Sequence, residues 1–491
     1  MVESRNYDII VVGAGVAGGV FACSQKNTAR KILVIERDLS EQDRIVGELL
    51  QPGGIVALRK LKLAHLLNGY DAQQVYGYTL VNNQQHFFIP YPIIDNQSYG
   101  LGLKNGKFLQ AIQNELRASE HVDLVEGNVV GLIENGEKIN GVKYVDNVTQ
   151  TTIEVQAPLV VISDGPMSLL RDKVSVSNKK VSSYFIGMEL EHPEPLFPAS
   201  GHVILNGKSP CLIYPIKTNV WRILVDYPAE KPPVMGEKMS RFMLDEVLPI
   251  LPESFHPSFK RAVAKADFKV MPNHYMLARA FRQDGVVLLG DSLNMRHPLT
   301  GGGMTACFWD IFTLKEALEK VELSDSSALK NALKNYYNNR TNRVGTINIL
   351  ADSLYLVFKD ADLKDLVYNY LKKGGQNAIV PLSLIAGLNR NKKTLVRHFA
   401  KVTLQNPSDF VFRPRKQFRT MRKAFNIMYP ILKEENKRAI KACNTKKSMW
   451  PMCGNKVILT LLFNRKTVRK MSVFFTNRCF LVFQKNKLLG L

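Results

Sequence analysis

The chain has 491 residues, 45% of them hydrophobic and 22% charged; that length asks for two or three domains, and that composition excludes wholesale disorder. The formal net charge is +23, and no Asp or Glu follows Glu435 while Lys and Arg continue, so residues 437–491 form a basic tail on a mildly basic body. Six cysteines without a Cys-x-x-Cys pair, and no secretory leader, point to reduced thiols on the cytosolic side and exclude a disulfide framework; no metal site is expected.

The first element is read from "YDIIVVGAGVAGGVFACSQ". Ile9 to Val12 is a buried parallel strand, and Gly13, Gly15 and Gly18 follow in G-x-G-x-x-G spacing at the head of an apolar helix. A second buried strand, Ile32 to Ile35, ends at Glu36. In this grammar Gly13 makes the turn, Gly15 admits a pyrophosphate to the backbone, Gly18 lets helix pack on strand, and Glu36 accepts ribose hydroxyls. The acid disfavours a ribose 2′-phosphate, so NADP is not expected here, and both FAD and NAD remain.

In "DRIVGELLQPGG", Arg44 either meets a phosphate or adenosine edge or pairs with Glu41 or Glu48. Gln51 to Gly54 reads as a turn into a helix around Ile55 to Leu63. "LVEGNVVGLIENGEKINGVKYVD" alternates around Asn135-Gly136 and predicts a hairpin. "PLVVISDGPMSLLR" places Asp164 at a strand's carboxyl end, where doubly wound sheets bind ligands. From about 180 to 275, short alternating strands predict a mainly antiparallel second domain. "GVVLLGDSLNMRHPLTGGGM" then returns to a buried strand ending at Gly290-Asp291, with a helix starting near Gly303, and beyond about 325 the period is helical. His297, in that run, is read as shaping its loop. No run reaches the ~18 apolar residues of a spanning helix, so membrane association is expected to be monotopic.

Three motifs in order, GAGVAG with Glu36-Arg37, Ser163-Asp164-Gly165, and Gly290-Asp291, resemble the para-hydroxybenzoate-hydroxylase class of FAD monooxygenases. Within that class, "IERDLSEQDRIVGELLQPGG" and "GDSLNMRHPLTGGGMT" are similar to the squalene epoxidases, closely to about residue 340 and more loosely to about 435. The resemblance implies an α/β fold: a Rossmann-like FAD-binding domain (1–75, completed by 105–175 and 280–340), a mainly antiparallel β substrate domain (76–104 and 176–279), and a C-terminal helical membrane-associated region (341–436).

It also implies residue roles. Val16 and Ala17 lie at the pyrophosphate turn, Glu36 and Arg37 at the adenosine ribose, Arg44 and Leu49 along the cofactor, and Val129 on the adenine side. Asp291 holds the ribityl chain or pyrophosphate, Gly301 to Gly303 let the main chain lie against the flavin, and Met304 closes over it. Tyr78 matches a tyrosine near the isoalloxazine that matters for activity; on residue type alone it reads as a core tyrosine. Gln113 stands where the family has an arginine, and Leu101, Lys104 and Asn105 replace an Arg and two His.

The implied reaction converts squalene and O2 to (S)-2,3-epoxysqualene through a flavin C4a-hydroperoxide in sterol biosynthesis. No second glycine fingerprint is present, so either NADPH visits a cleft transiently or electrons come from a partner flavoprotein; the resemblance implies the second, with NADPH acting indirectly through NADPH–cytochrome reductase. The implied location is the cytosolic face of the endoplasmic reticulum membrane, microsomal or lipid-droplet. The tail's "VILTLLF" and "FFTNRCFLVF" suit a lipid surface, and no nucleic acid is expected. Two other readings stand beside this one: another FAD monooxygenase or isoprenoid reductase, and a non-catalytic FAD- or lipid-binding relative. An elongated apolar pocket running from the flavin toward the C-terminal helices distinguishes squalene epoxidation from both.

Overall fold

The computed structural model describes residues 7–441 except 27, 84, 94–97, 137, 176–177, 279–282 and 406–413, so most of the basic tail lies outside the described residues. Two seven-stranded sheets and a small three-stranded one organise it. In the first sheet Ile9–Val12 lies between Ile32–Glu36 and Leu159–Ile162, with Val286–Leu288 at one edge, all parallel. These strands read IIVV, ILVIE, LVVI and VVL because both faces are covered, leaving no reason for alternation. Val122–Asn135 and Lys138–Asp146 extend the sheet as the expected hairpin, turning at Gly136 with φ +62°.

The second sheet runs in the order Lys269–Tyr275, Lys180–Glu191, Val220–Tyr227, Cys211–Lys217, Gly201–Ile204, Gly77–Asn82, Gln85–Pro90. It is antiparallel except where Gly201–Ile204 runs parallel to Gly77–Asn82. One face packs under the helices Glu237–Phe242 and His256–Lys265, and the other faces the cofactor-side residues. Arg222, buried in this sheet, donates from Nε and Nη2 to Glu48 at 2.7 and 3.0 Å, tying it to the short strand Leu49–Leu50. Burial pushes the Glu48 carboxyl up and the guanidinium pulls it back.

Three expectations change. The helix after Gln51 starts at once: Pro52–Lys60 has Pro at its first turn, where a missing N–H costs nothing, so Gly53 and Gly54 are helical. Strand Gly100–Gly102 pairs with Leu49–Leu50 and Gln73–Val75 in the small sheet, outside the large antiparallel one. The boundary at 340/341 falls inside one helix, Ser326–Lys359, capped by Asp325, whose side chain accepts from Ser327 N and Ala328 N. Helices Ala361–Lys372, Gln376–Ile385, Lys392–Thr403 and Pro414–Lys441 pack beyond it. Among the described residues no helix is long and apolar enough to cross a membrane.

Candidate active site

A cavity of about 660 Å³ opens at the carboxyl ends of the parallel strands. Two helices point their N-termini at it, Val16–Ser24 after Gly15 and Gly303–Leu318 after Gly302. A Cβ added to Gly15 or Gly303 meets nothing within 4 Å, so at both ends the backbone is bare to the cavity. A helix N-terminus with exposed amides stabilises negative charge and hydrogen-bond acceptors. Gly13, at φ +97°, makes the turn, and a Cβ there would sit 2.7 Å from the Ser163 carbonyl.

Of the residues singled out in the sequence, Gly13, Gly15, Val16, Ala17, Glu36, Arg37, Arg44, Leu49, Tyr78, Gln113, Val129, Asp164, Gly290, Asp291, Gly303 and Met304 all border this one cavity. Gly18 does not. Its Cβ would lie 2.0 Å from the Gly13 carbonyl and 2.3 Å from Ser163 Oγ, so it serves helix-on-strand packing and is removed from the cofactor-contacting set. Gly302 likewise turns toward Ile347 of the long helix, leaving Gly301 and Gly303 on the cavity wall.

The Glu36 carboxylate accepts from Ala14 N at 2.6 Å and, through its other oxygen, from Arg37 N at 2.9 Å. It therefore braces the glycine turn as well as facing the cavity. Glu41 pairs with Lys107 and Glu48 with Arg222, so Arg44 is left on the cavity wall and its surface-pair alternative falls away. Asp291 is open to the cavity and enclosed by protein elsewhere. Burial pushes its carboxyl up, while Arg296 and Arg44 pull it down. Asp164 accepts from Ser292 Oγ at 3.0 Å, and burial also raises its carboxyl. Gln113 Oε1 accepts from Gln110 Nε2 at 3.2 Å.

At the other end stands a buried polar group that the sequence reading missed. Gln51 Nε2 donates to Tyr78 OH at 2.5 Å and to the Thr300 carbonyl at 2.8 Å, and Gln51 Oε1 accepts from Tyr91 OH at 2.7 Å. The Tyr78 and Tyr91 rings meet edge-on, 6.0 Å between centroids. Tyr78 lies opposite Gly201, where a Cβ would sit 2.8 Å from its ring, so that glycine is required by the tyrosine. His297 stays off the cavity wall: its Nδ1 accepts from Leu299 N at 3.3 Å and its ring stacks on Tyr355 at 3.7 Å, fixing the loop before the three glycines.

A second cavity, about 150 Å³, adjoins the first; Tyr78 and Leu299 border both. Its wall is almost wholly hydrocarbon, drawn from Leu80, Ile89, Leu354, Leu382, Phe399 and others, and it runs among the C-terminal helices. Bare glycine backbone at two helix N-termini, the acceptor Asp291, and an apolar end at Tyr78, Leu212 and Leu224 suit a long dinucleotide with a polar diphosphate and sugar and a flat ring. These residues fit FAD.

A family model described as squalene epoxidase matches residues 156–423. Mitochondrial squalene epoxidase 2 of Arabidopsis thaliana is 38% identical over 449 residues, covering 88% of this chain and 76% of that one. The squalene epoxidase of Schizosaccharomyces pombe is 36% identical over 420 residues, 83% and 92% of the two chains. Mouse squalene monooxygenase is 33% identical over 450 residues, 88% and 78%. Among solved structures, p-nitrophenol 4-monooxygenase from Pseudomonas putida superposes with a TM-score of 0.65 at 17% identity, covering 79% of this chain and 99% of that one. A flavin-dependent brominase gives 0.65 at 17%, covering 79% and 95%. These structural likenesses fix the fold as that of the FAD-dependent monooxygenases.

Proposed function

The chain belongs to the squalene epoxidase family and is an FAD-dependent squalene monooxygenase of sterol biosynthesis; on that premise we propose how its own residues carry the reaction. Bound and reduced, FAD supplies the electrons that activate O2, so that one oxygen reaches the alkene and the other leaves as water. The protein's part is to bind, orient and keep dry. Gly13, Gly15, Val16 and Ala17 would hold the diphosphate at the helix N-terminus, Glu36, Arg37 and Arg44 the adenosine half, and Asp291 a sugar hydroxyl. Gly303 and Met304, on the same wall, would border the ring.

The observation that carries this reading is the apolar cavity that adjoins the cofactor cavity, with Tyr78 and Leu299 bordering both. A hydrocarbon chain finds no hydrogen-bond partner there and needs none, and its terminal alkene emerges beside Tyr78. Gln51 fixes the Tyr78 hydroxyl, so the side chain between the two cavities has one orientation. Hydrocarbon walls exclude water from the reacting end.

The proposal includes NADPH as the distant reductant, acting through NADPH–cytochrome reductase, and docking without a spanning helix on the cytosolic face of the endoplasmic reticulum membrane. An apolar substrate supports the membrane reading, because squalene is dissolved in lipid before it is bound. The test is turnover of squalene by purified protein with reductase, NADPH and ¹⁸O₂. Epoxysqualene carrying one ¹⁸O is expected; a reducible flavin that yields no epoxide overturns the reading.

A further inference from the structure

Each epoxidation takes in two electrons and two protons: alkene + O2 + 2 e⁻ + 2 H⁺ gives epoxide + H2O. The electrons enter from outside the chain on the reading proposed above, so their donor has to meet the flavin at the rim of the large cavity. Met167 is 68% and Leu169 81% exposed, and both border that cavity. Large apolar side chains this bare, grouped at the mouth of a functional cavity, mark a surface that something else covers.

The segment that follows this rim is basic. Arg171, Lys173, Lys179 and Lys180 fall within ten residues that include one acid, Asp172. Lys173 and Lys180 are exposed. Lys179 Nζ donates to the Pro166 carbonyl at 3.1 Å and lies 3.1 Å from Met167 Sδ, so its charge is held against the apolar pair. Arg171 is buried, reaches the same carbonyl from Nη1 at 3.5 Å and pairs with the exposed Asp172 at 3.4 Å, so the accessible positive charge comes from the lysines. His274, on the cavity wall, faces Val181 across the sheet, beside Lys180. Burial, then Lys179 and Arg171, hold its imidazole below the ordinary range, which keeps it neutral and leaves the lysines as the charges. An apolar centre flanked by predominantly positive charge is the anatomy of a protein interface that steers its partner by electrostatics.

We propose that Met167 and Leu169, with Lys173, Lys179 and Lys180 beside them, form the docking surface for an acidic electron-transfer protein that reduces the flavin at the cavity mouth. A protein fits better than a free nucleotide, because exposed Met and Leu add nothing to phosphate recognition. The inference rests on the external electron supply proposed above.

The test uses the FAD-loaded enzyme in detergent without phospholipid, with NADPH–cytochrome reductase as electron donor. The double variant Lys173→Glu/Lys180→Glu changes two exposed residues that do not border the cavity. Half-saturating reductase is expected to rise roughly tenfold, and the fall of rate with salt seen in the wild type to flatten. Flavin absorbance and dithionite-driven single turnover stay unchanged. Unaltered reductase dependence overturns the proposal. So does NADPH alone reducing the wild-type flavin and failing with the variant, since the patch then serves a dinucleotide phosphate. If dithionite-driven turnover gives no epoxide in either protein, the monooxygenase reading fails instead, and the rate of flavin reduction by reductase still decides the docking surface.

Discussion

The Tyr78 hydroxyl sits 2.5 Å from Gln51 Nε2, and that one amide is shared with the Thr300 carbonyl just before the three glycines. Gln51 thus couples the tyrosine between the two cavities to the loop that presents Gly303. Tyr78→Phe removes the acceptor while leaving the ring against Gly201. Loss of one buried hydrogen bond, about 1–3 kcal/mol, predicts turnover lower by roughly tenfold with FAD still bound. Equal steady-state rates for the two proteins at matched flavin content return Tyr78 to a packing role.

Gly15 and Gly18 separate binding from folding. A Cβ on Gly15 meets no protein atom, so Gly15→Ala folds with an unchanged melting temperature yet intrudes where the diphosphate lies. Its FAD dissociation constant, read by quenching of flavin fluorescence, should rise at least about tenfold, the cost of losing a charge-assisted hydrogen bond or two. Gly18→Ala drives a methyl into the Gly13 carbonyl and should instead lower the melting temperature. The reverse pattern contradicts both assignments.

Asp291→Ala removes the carboxyl that is open to the cavity. The purified variant should be colourless and take up FAD only at high concentration. A yellow preparation with full activity shows that Asp291 does not hold the cofactor.

His202 is buried between Trp221 and Phe255, and burial lowers its imidazole to about 4. Unfolded, the same group has the ordinary value near 6.5. The unfolded chain therefore binds a proton that the folded chain refuses, and stability falls as pH drops from about 6.5 toward 4. At full desolvation this is roughly 3 kcal/mol, from 1.36 kcal/mol per unit. Urea unfolding at pH 7 and pH 5 should show it, and His202→Phe should flatten the difference. An equal pH dependence in the variant assigns the loss to other groups.

Local signals made much of the cofactor half legible. Ile9–Val12 and Ile32–Glu36 are continuous apolar runs because both faces are covered, and the glycine spacing between them has a single steric explanation. Motif contacts carried the rest of that cavity, as far as Asp291 and Met304. What stayed hidden depends on pairings distant in the chain. Gln51 acquires its role only when Tyr78, Tyr91 and Thr300 converge on it, and Gly201 only when the sheet sets it opposite Tyr78. Gly18 was legible in its packing role and misplaced as a contact, since a fingerprint does not say which of its glycines faces the ligand. The helix through residue 340 has no breaker between Ser326 and Lys359, so a family boundary there had no physical counterpart.

On the reading proposed above, squalene reaches the flavin by way of the apolar cavity that shares Tyr78 and Leu299 with the cofactor cavity. Ala378, buried on that cavity's wall, is the residue to enlarge. In a single turnover of Ala378→Phe, reduced anaerobically and mixed with O2 and squalene, flavin absorbance and reduction should match the wild type. Epoxysqualene should fall roughly tenfold, the effect of about 1.4 kcal/mol, with hydrogen peroxide rising to account for the electrons. Undiminished epoxide, with no added peroxide, would contradict the claim.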